Sequence, residues 1–223
     1  MKVLLVALLV SSVSMSVSMN VSIADEHQHH QDSKKEAKKM DHKHHKEMKT
    51  VAALPGASIF QLNSKWKNQK NETVSLTDLK GKPRLMAMLY TRCETACLLI
   101  VADVKKIFDE INSKEIDVTL FSIDSVKETS ESLAAFAAKR NLPSDWTLLT
   151  SDADAVVELA AAVGFQFKRL DDGEYIHSNV IFFLNGQGEI VAKKEGLSTP
   201  REEFKKEINK FLKESSKAKK TQK

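Results

Sequence analysis

The sequence predicts an α/β layer fold, a mixed central sheet flanked by helices. Three observations predict it. Apolar runs of strand length recur at residues 84–90 and 118–123. The segments that follow them repeat apolar residues at threes and fours, which is helical spacing. The last third then alternates short strands with turn residues and closes on an amphipathic helix. A chain of 223 residues is long enough for one domain with a real core plus extra segments.

Residues 1–24 read as a signal peptide. Met1-Lys2 supplies a positive start, VLLVALLV an apolar centre, and Ser22-Ile23-Ala24 the small residues of a cleavage site. A membrane helix needs about 20 apolar residues, and this run is far shorter. No cysteine stands near the cleavage site to carry a lipid. The mature chain is therefore expected in an oxidising compartment, the periplasm, rather than anchored in a membrane.

Residues 25–50 form a His/Lys-rich segment expected to be disordered. It holds six of the seven histidines in two clusters, His27, His29, His30 and His42, His44, His45, with Met40 and Met48 among them. Imidazoles and thioethers suit soft or borderline metals such as copper, so an auxiliary metal-collecting tail is one reading. A solvated charged linker is the other. Composition alone does not choose copper over zinc.

The compact domain is expected over residues 51–215. Residues 59–62 and 66–70 read as strands of an N-terminal lead-in hairpin, and TVSLTDLKGKP carries a turn. Residues 84–90 form a buried strand. In residues 96–112, Leu99, Val101, Val104, Ile107, Phe108 and Ile111 mark a helix. Residues 118–123 form a second buried strand, and 130–140 a helix stopped by Asn141-Leu142-Pro143. A short strand at 146–149 leads to Asp152, which can cap a helix over 153–163 closed by Gly164. Residues 165–170 and 174–184 read as a hairpin about Asp171-Asp172-Gly173, and 189–193 as a further strand. Thr199-Pro200 opens a last helix carrying Phe204, Ile208 and Leu212 on one face. Residues 216–223 read as a basic, disordered tail.

The net charge is a mild +4, and the lysines concentrate at the two ends. That pattern does not form a basic patch beside aromatics, so no nucleic acid is expected as partner. No internal repeat is visible.

The two cysteines of the chain, Cys93 and Cys97, lie in YTRCETACLLI. They follow a central strand and open a helix, where α/β proteins commonly place their sites. A helix amino terminus stabilises a thiolate; Arg92 would add to that and Glu94 oppose it. Residues four apart on a helix have Cβ atoms about 5–6 Å apart, whereas a disulfide wants about 3.8 Å. A disulfide therefore requires Cys93 to lie outside the helix, and so small a loop contributes little stability. Two thiolates sharing one metal at about 2.3 Å tolerate a wider separation. Disulfide staple, redox pair and metal ligands all stay open at this point. His177 is the one histidine of the domain. It reads as a satisfied core residue or as a third ligand, and a Cys2His set suits Cu(I).

The order strand, YTRCETAC, helix, VTLFSID, helix, LTSD, helix, YIHSNVIFFLNGQGEIV resembles the Sco (SenC) family of copper chaperones for cytochrome oxidase. The likeness spans roughly residues 58–212. It implies a thioredoxin-like fold, with Cys93, Cys97 and His177 binding copper as Cu(I) or Cu(II) and Asp124 supporting the site. It also implies copper delivery to cytochrome c oxidase. Expected partners are the oxidase copper-site subunit or another periplasmic cuproprotein, and a thiol–disulfide reductase. The chain departs from the family pattern, as a divergent member: Glu94 and Leu98 stand where proline is usual, and Asp124-Ser125-Val126-Lys127-Glu128 replaces Asp-Pro-x-Arg-Asp. Two alternatives remain beside this reading. One is a thiol–disulfide oxidoreductase acting through Cys93 and Cys97, although such enzymes prefer C-x-x-C. The other is a periplasmic metal buffer driven by the His-rich segment.

Overall fold

Strand β3 (Arg84–Leu89) is buried at every position, and β4 (Asp117–Ser122) at every position but its first. Strands covered on both faces belong at the centre of a sheet whose faces carry helices. The two pair in parallel, from Arg84 opposite Asp117 to Leu89 opposite Ser122. Around them the remaining strands are β1 (Lys65–Asn68), β2 (Thr73–Ser75), β5 (Thr147–Thr150), β8 (Val180–Leu184) and β9 (Ile190–Glu195), in the order β2-β1-β5-β4-β3-β8-β9. β4 and β5 run parallel; β8 runs antiparallel to β3 and to β9. This computed structural model describes residues 48–50, 53, 56–197 and 199–221, all within the unit Lys43–Lys223.

Helices α1 (Ala96–Ile111) and α4 (Glu202–Thr221) pack against each other, α1 over β3 and β8 and α4 over β9. Helix α2 (Ser130–Lys139) packs on β5 and β1. The expected stops and starts are realised chemically. The Asp152 side chain accepts from Ala155 N–H at the start of α3 (Ala153–Val163), and Gly164 ends it in the left-handed conformation. Asn112 ends α1 the same way at φ 46°. Among the described residues no helix is long and apolar enough to cross a membrane.

Three expectations are corrected. Residues 59–61 form a 3-10 turn rather than a strand, because the Ser58 hydroxyl accepts from Phe60 N–H and starts a turn. The lead-in hairpin is instead β1 with β2, and β1 joins the sheet against β5. Residues 174–184 are not one strand. β7 (Tyr175–His177) pairs only with β6 (Phe167–Arg169) in a separate ribbon, and the chain joins the main sheet again at Val180. Finally, α4 continues to Thr221, so residues 216–221 are helical rather than a frayed tail. Lys and Ala are good helix formers, and basic residues suit a helix carboxyl end.

Residues near the start of the described chain touch β9 and the turn that leads into it. Ser58 bridges to Glu189, Ile59 N–H donates to Gly188 C=O at 3.1 Å, and Lys193 Nζ donates to Thr50 Oγ1 at 3.1 Å. Met48 N–H reaches His177 C=O at 3.4 Å. The expected signal peptide and all six tail histidines lie outside the described residues.

Candidate metal centre

After β3 ends at Leu89, the chain makes a tight turn before α1 begins at Ala96. Cys93 sits in that turn, outside the helix, and its N–H donates to Tyr90 C=O at 3.3 Å. Cys97 sits in the first turn of α1 and is fully buried. Thr95 precedes the helix but makes no side-chain cap. The Cys93 sulfur takes that role, accepting from Cys97 N–H at 3.4 Å. The local sequence thus bends Cys93 back over the helix amino terminus and brings the two sulfurs to one point. Both thiols are free.

The ribbon supplies the third group. His177 ends β7 and is buried, with Nε2 3.5 Å from Cys97 Sγ. Its Nδ1 lies 2.9 Å from Ser178 C=O. A carbonyl can only accept, so Nδ1 carries a hydrogen, and Nε2 is the ring atom that faces the sulfurs. The ring is held by Phe165, stacked at 6.1 Å, and by Tyr90, edge-on at 6.0 Å. Cys93 Sγ, Cys97 Sγ and a ring nitrogen of His177 all lie within 4.8 Å of one another. Donors around one ion at about 2.0–2.3 Å stand roughly 3.3–4.0 Å apart, so a small contraction would let the three share a metal. A ligating histidine fixed by a carbonyl on its other nitrogen is the usual outer arrangement of such sites.

The two thiols are electrostatically unequal. Cys93 is pulled down to about 3, first by the hydrogen bond from the Cys97 thiol. Burial opposes that, while His177 and the N–H groups of Cys97 and Thr95 add to it. Burial pushes Cys97 well above the ordinary thiol value, and the neighbouring Cys93 raises it further. Cys93 is therefore the more acidic sulfur of the pair and Cys97 the less acidic.

Asp124 does not join the three ligand-type atoms; it lies behind them. Its carboxylate accepts from Arg92 at 2.6 Å, from the Tyr175 hydroxyl at 3.1 Å and from Lys127 N–H at 3.1 Å. Burial alone would raise this carboxyl, but those hydrogen bonds, led by Arg92, hold it below the usual carboxylate range. The Arg92 guanidinium is thus paired with Asp124. Glu94 is exposed and points no hydrogen bond at the sulfurs.

Four further residues were missed in the sequence. The Tyr90 hydroxyl donates to Glu174 at 2.7 Å, and Tyr175 lies two residues before His177. Glu128 holds Thr91, just before Arg92 and Cys93. One signal was available: Tyr90 and Tyr175 are the two tyrosines of the chain, and their rings meet here at 5.1 Å. Tyr175 is pushed up to about 12 by burial and by the Asp124 charge, so its hydroxyl stays a donor.

Fold and site together define a thioredoxin-like α/β domain with a buried Cys–Cys–His centre at the carboxyl end of a sheet strand. The SCO1/SenC family profile matches residues 56–213, and the chain belongs to that family. It is 27% identical over 146 residues to a SCO1 protein homolog of Bacillus subtilis (strain 168), covering 62% of this chain and 76% of that protein. A SCO1/SenC family lipoprotein of Bacillus anthracis superposes with a TM-score of 0.60 at 24% identity, over 67% of this chain and 95% of that one. ScoI of Bradyrhizobium japonicum, solved with copper bound, gives 0.56 at 18% identity, over 66% and 96%. These two structural likenesses establish the shared fold.

Proposed function

We propose that this protein binds copper through Cys93, Cys97 and His177 and delivers it, or enables its insertion, into the copper site of cytochrome c oxidase in the periplasm. The observation that carries the reading is the convergence of two sulfurs and one imidazole Nε2, all buried, at one point. The donor set fits the metal: thiolates and imidazole are soft enough for Cu(I). Membership of the SCO1/SenC family and the copper-bound relative support it.

The residues divide the work. Cys93, the more acidic sulfur, would offer Cu(I) its first thiolate. Cys97 then loses its thiol proton to solvent, and the cation stabilises the second thiolate that burial disfavours. His177 completes three-coordination through Nε2, held in line by Ser178 C=O. Cu(II) would need an added oxygen ligand. For release, the two thiolates pass two electrons to a partner disulfide. A Cys93–Cys97 disulfide forms, the partner disulfide becomes two thiolates that take protons from solvent, and the copper loses both sulfur ligands. A thiol–disulfide reductase restores the pair. Asp124 tunes the site by fastening the cysteine turn, through Arg92, to the ribbon, through Tyr175. The clusters His27, His29, His30 and His42, His44, His45 act as auxiliary ligands that raise the local metal concentration.

Competition between the reduced protein and a Cu(I) chelator tests this. One tight site is expected, abolished by Cys93→Ser or Cys97→Ser and weakened by His177→Ala. Tight binding that survives both cysteine changes and disappears on removing residues 25–47 would replace this reading with a His-rich metal buffer.

One observation favours a second activity of the same pair. A more acidic Cys93 beside a less acidic Cys97 suits an attacking and a resolving sulfur. Exchange with a partner disulfide needs the cysteines only, so His177→Ala should keep it while binding copper more weakly.

A further inference from the structure

We propose that Glu128 is a positioning residue for the metal centre: it holds the turn that carries Cys93 where Cys97 and His177 can meet it. The inference rests on the copper-binding reading and assigns a part of the 124–128 run that this reading leaves unused.

The Glu128 carboxylate accepts from four protein donors. Oε2 takes Thr91 N–H at 2.9 Å and the Ser122 hydroxyl at 2.9 Å; Oε1 takes the Thr91 hydroxyl at 2.6 Å and the Ser132 hydroxyl at 2.5 Å. One side chain thereby joins the cysteine turn, the end of β4 and the first turn of α2. Glu128 N–H donates to Asp124 C=O at 3.1 Å, so the two acidic residues flank one tight turn. They grip consecutive residues: Glu128 holds Thr91, and Asp124 holds Arg92. Cys93 is the next residue, so its sulfur has little freedom left to drift from Cys97.

What the turn requires of residue 128 is reach rather than charge. Three of the four donors are hydroxyls, which can rotate to donate or to accept; the fourth, Thr91 N–H, can only donate. A glutamine has the same length. Its carbonyl can take Thr91 N–H and Ser122, while its amide donates to the turned hydroxyls of Thr91 and Ser132. An alanine reaches none of them and leaves Thr91 N–H without its acceptor.

The test compares E128Q, E128A and the parent in Cu(I) affinity and in the Cu(II)–thiolate charge-transfer spectrum. E128Q is expected to match the parent in both. E128A is expected to bind about 10–100-fold more weakly, the usual cost of an outer residue, with an altered spectrum. Ser132→Ala removes a donor but leaves Thr91 held; it should lower thermal stability and leave the spectrum unchanged. A metal-free readout runs alongside: the Cys93–Cys97 disulfide equilibrium in a glutathione buffer, which reports how closely the sulfurs are held. E128A should shift it toward the dithiol, and E128Q should not. Parental copper binding and disulfide equilibrium in E128A would overturn the proposal, as would an E128Q that fails as E128A does. A parent that binds no copper but whose disulfide equilibrium responds to E128A alone would sink the copper reading and keep the positioning role.

Discussion

Cys93 and Cys97 share one turn of chain yet differ in acid strength, because hydrogen bonds, led by that from the Cys97 thiol, outweigh burial at Cys93, whereas burial dominates at Cys97. Reduced, metal-free protein should therefore show one thiolate by ultraviolet absorbance through neutral pH, fading only toward pH 3. Cys93→Ser should remove it. The sign of the coupling to folding follows. The folded protein holds fewer protons at residue 93 than the unfolded chain, whose thiol titrates near 9.0. That contribution to stability is complete above about pH 9 and is lost as the pH falls to about 3. Denaturant titrations of the parent and Cys93→Ser across that window measure it; a pH-independent difference between them would contradict it. At this scale the ligand types were legible, since two cysteines and one domain histidine are few enough to notice. Their surroundings were not. Nothing in spacing says that Arg92 turns to Asp124, or that Glu128 returns to Thr91 across 37 positions of sequence.

Element boundaries were legible where a local side chain sets them. Asp152 and Gly164 bound α3 as their chemistry requires, and Asp152→Ala should cost about 1 kcal/mol of stability with copper affinity unchanged. Thermal melts and a chelator competition check both halves of that statement. The strand carrying His177 was legible only in part. Residues 174–184 are apolar enough to pass for one strand, but Ser178 N–H donates to Gln166 C=O while Asn179 C=O accepts from Gly196 N–H. Those two bonds turn in opposite directions and send β7 and β8 to different sheets. A periodicity cannot reveal that switch, because it depends on partners far along the chain. The consequence is functional: His177 ends a small ribbon fastened to the cysteine turn by Tyr175, Glu174 and Gly173, not a strand of the main sheet. Tyr175→Phe removes the hydroxyl that joins the ribbon to Asp124. It should weaken copper binding by about tenfold while leaving thiol–disulfide exchange near the parental rate.

Across the whole molecule, the centre is built from segments that only the finished fold brings together: the turn after β3, the start of α1 and the end of β7. The far side of the domain is tied by a second polar link. Lys194 on β9 is buried and pairs with Asp103 on α1 at 3.0 Å, and Asp103 also accepts from Arg201, just before α4, at 3.1 Å. Asp103→Ala strands the Lys194 charge and should destabilise the domain by about 3 kcal/mol, the lower end for a buried pair because Asp103 is 17% exposed. Denaturant unfolding measures that loss, and copper binding by the folded fraction should persist. X-ray absorption at the copper edge, on reduced protein loaded with one equivalent of Cu(I), reads whether one copper sits on Cys93, Cys97 and His177. A shell of two sulfurs and one imidazole nitrogen is expected, reduced to two sulfurs in His177→Ala and unchanged when residues 25–47 are removed. A nitrogen-rich shell that persists in the Cys93→Ser, Cys97→Ser double variant would contradict it.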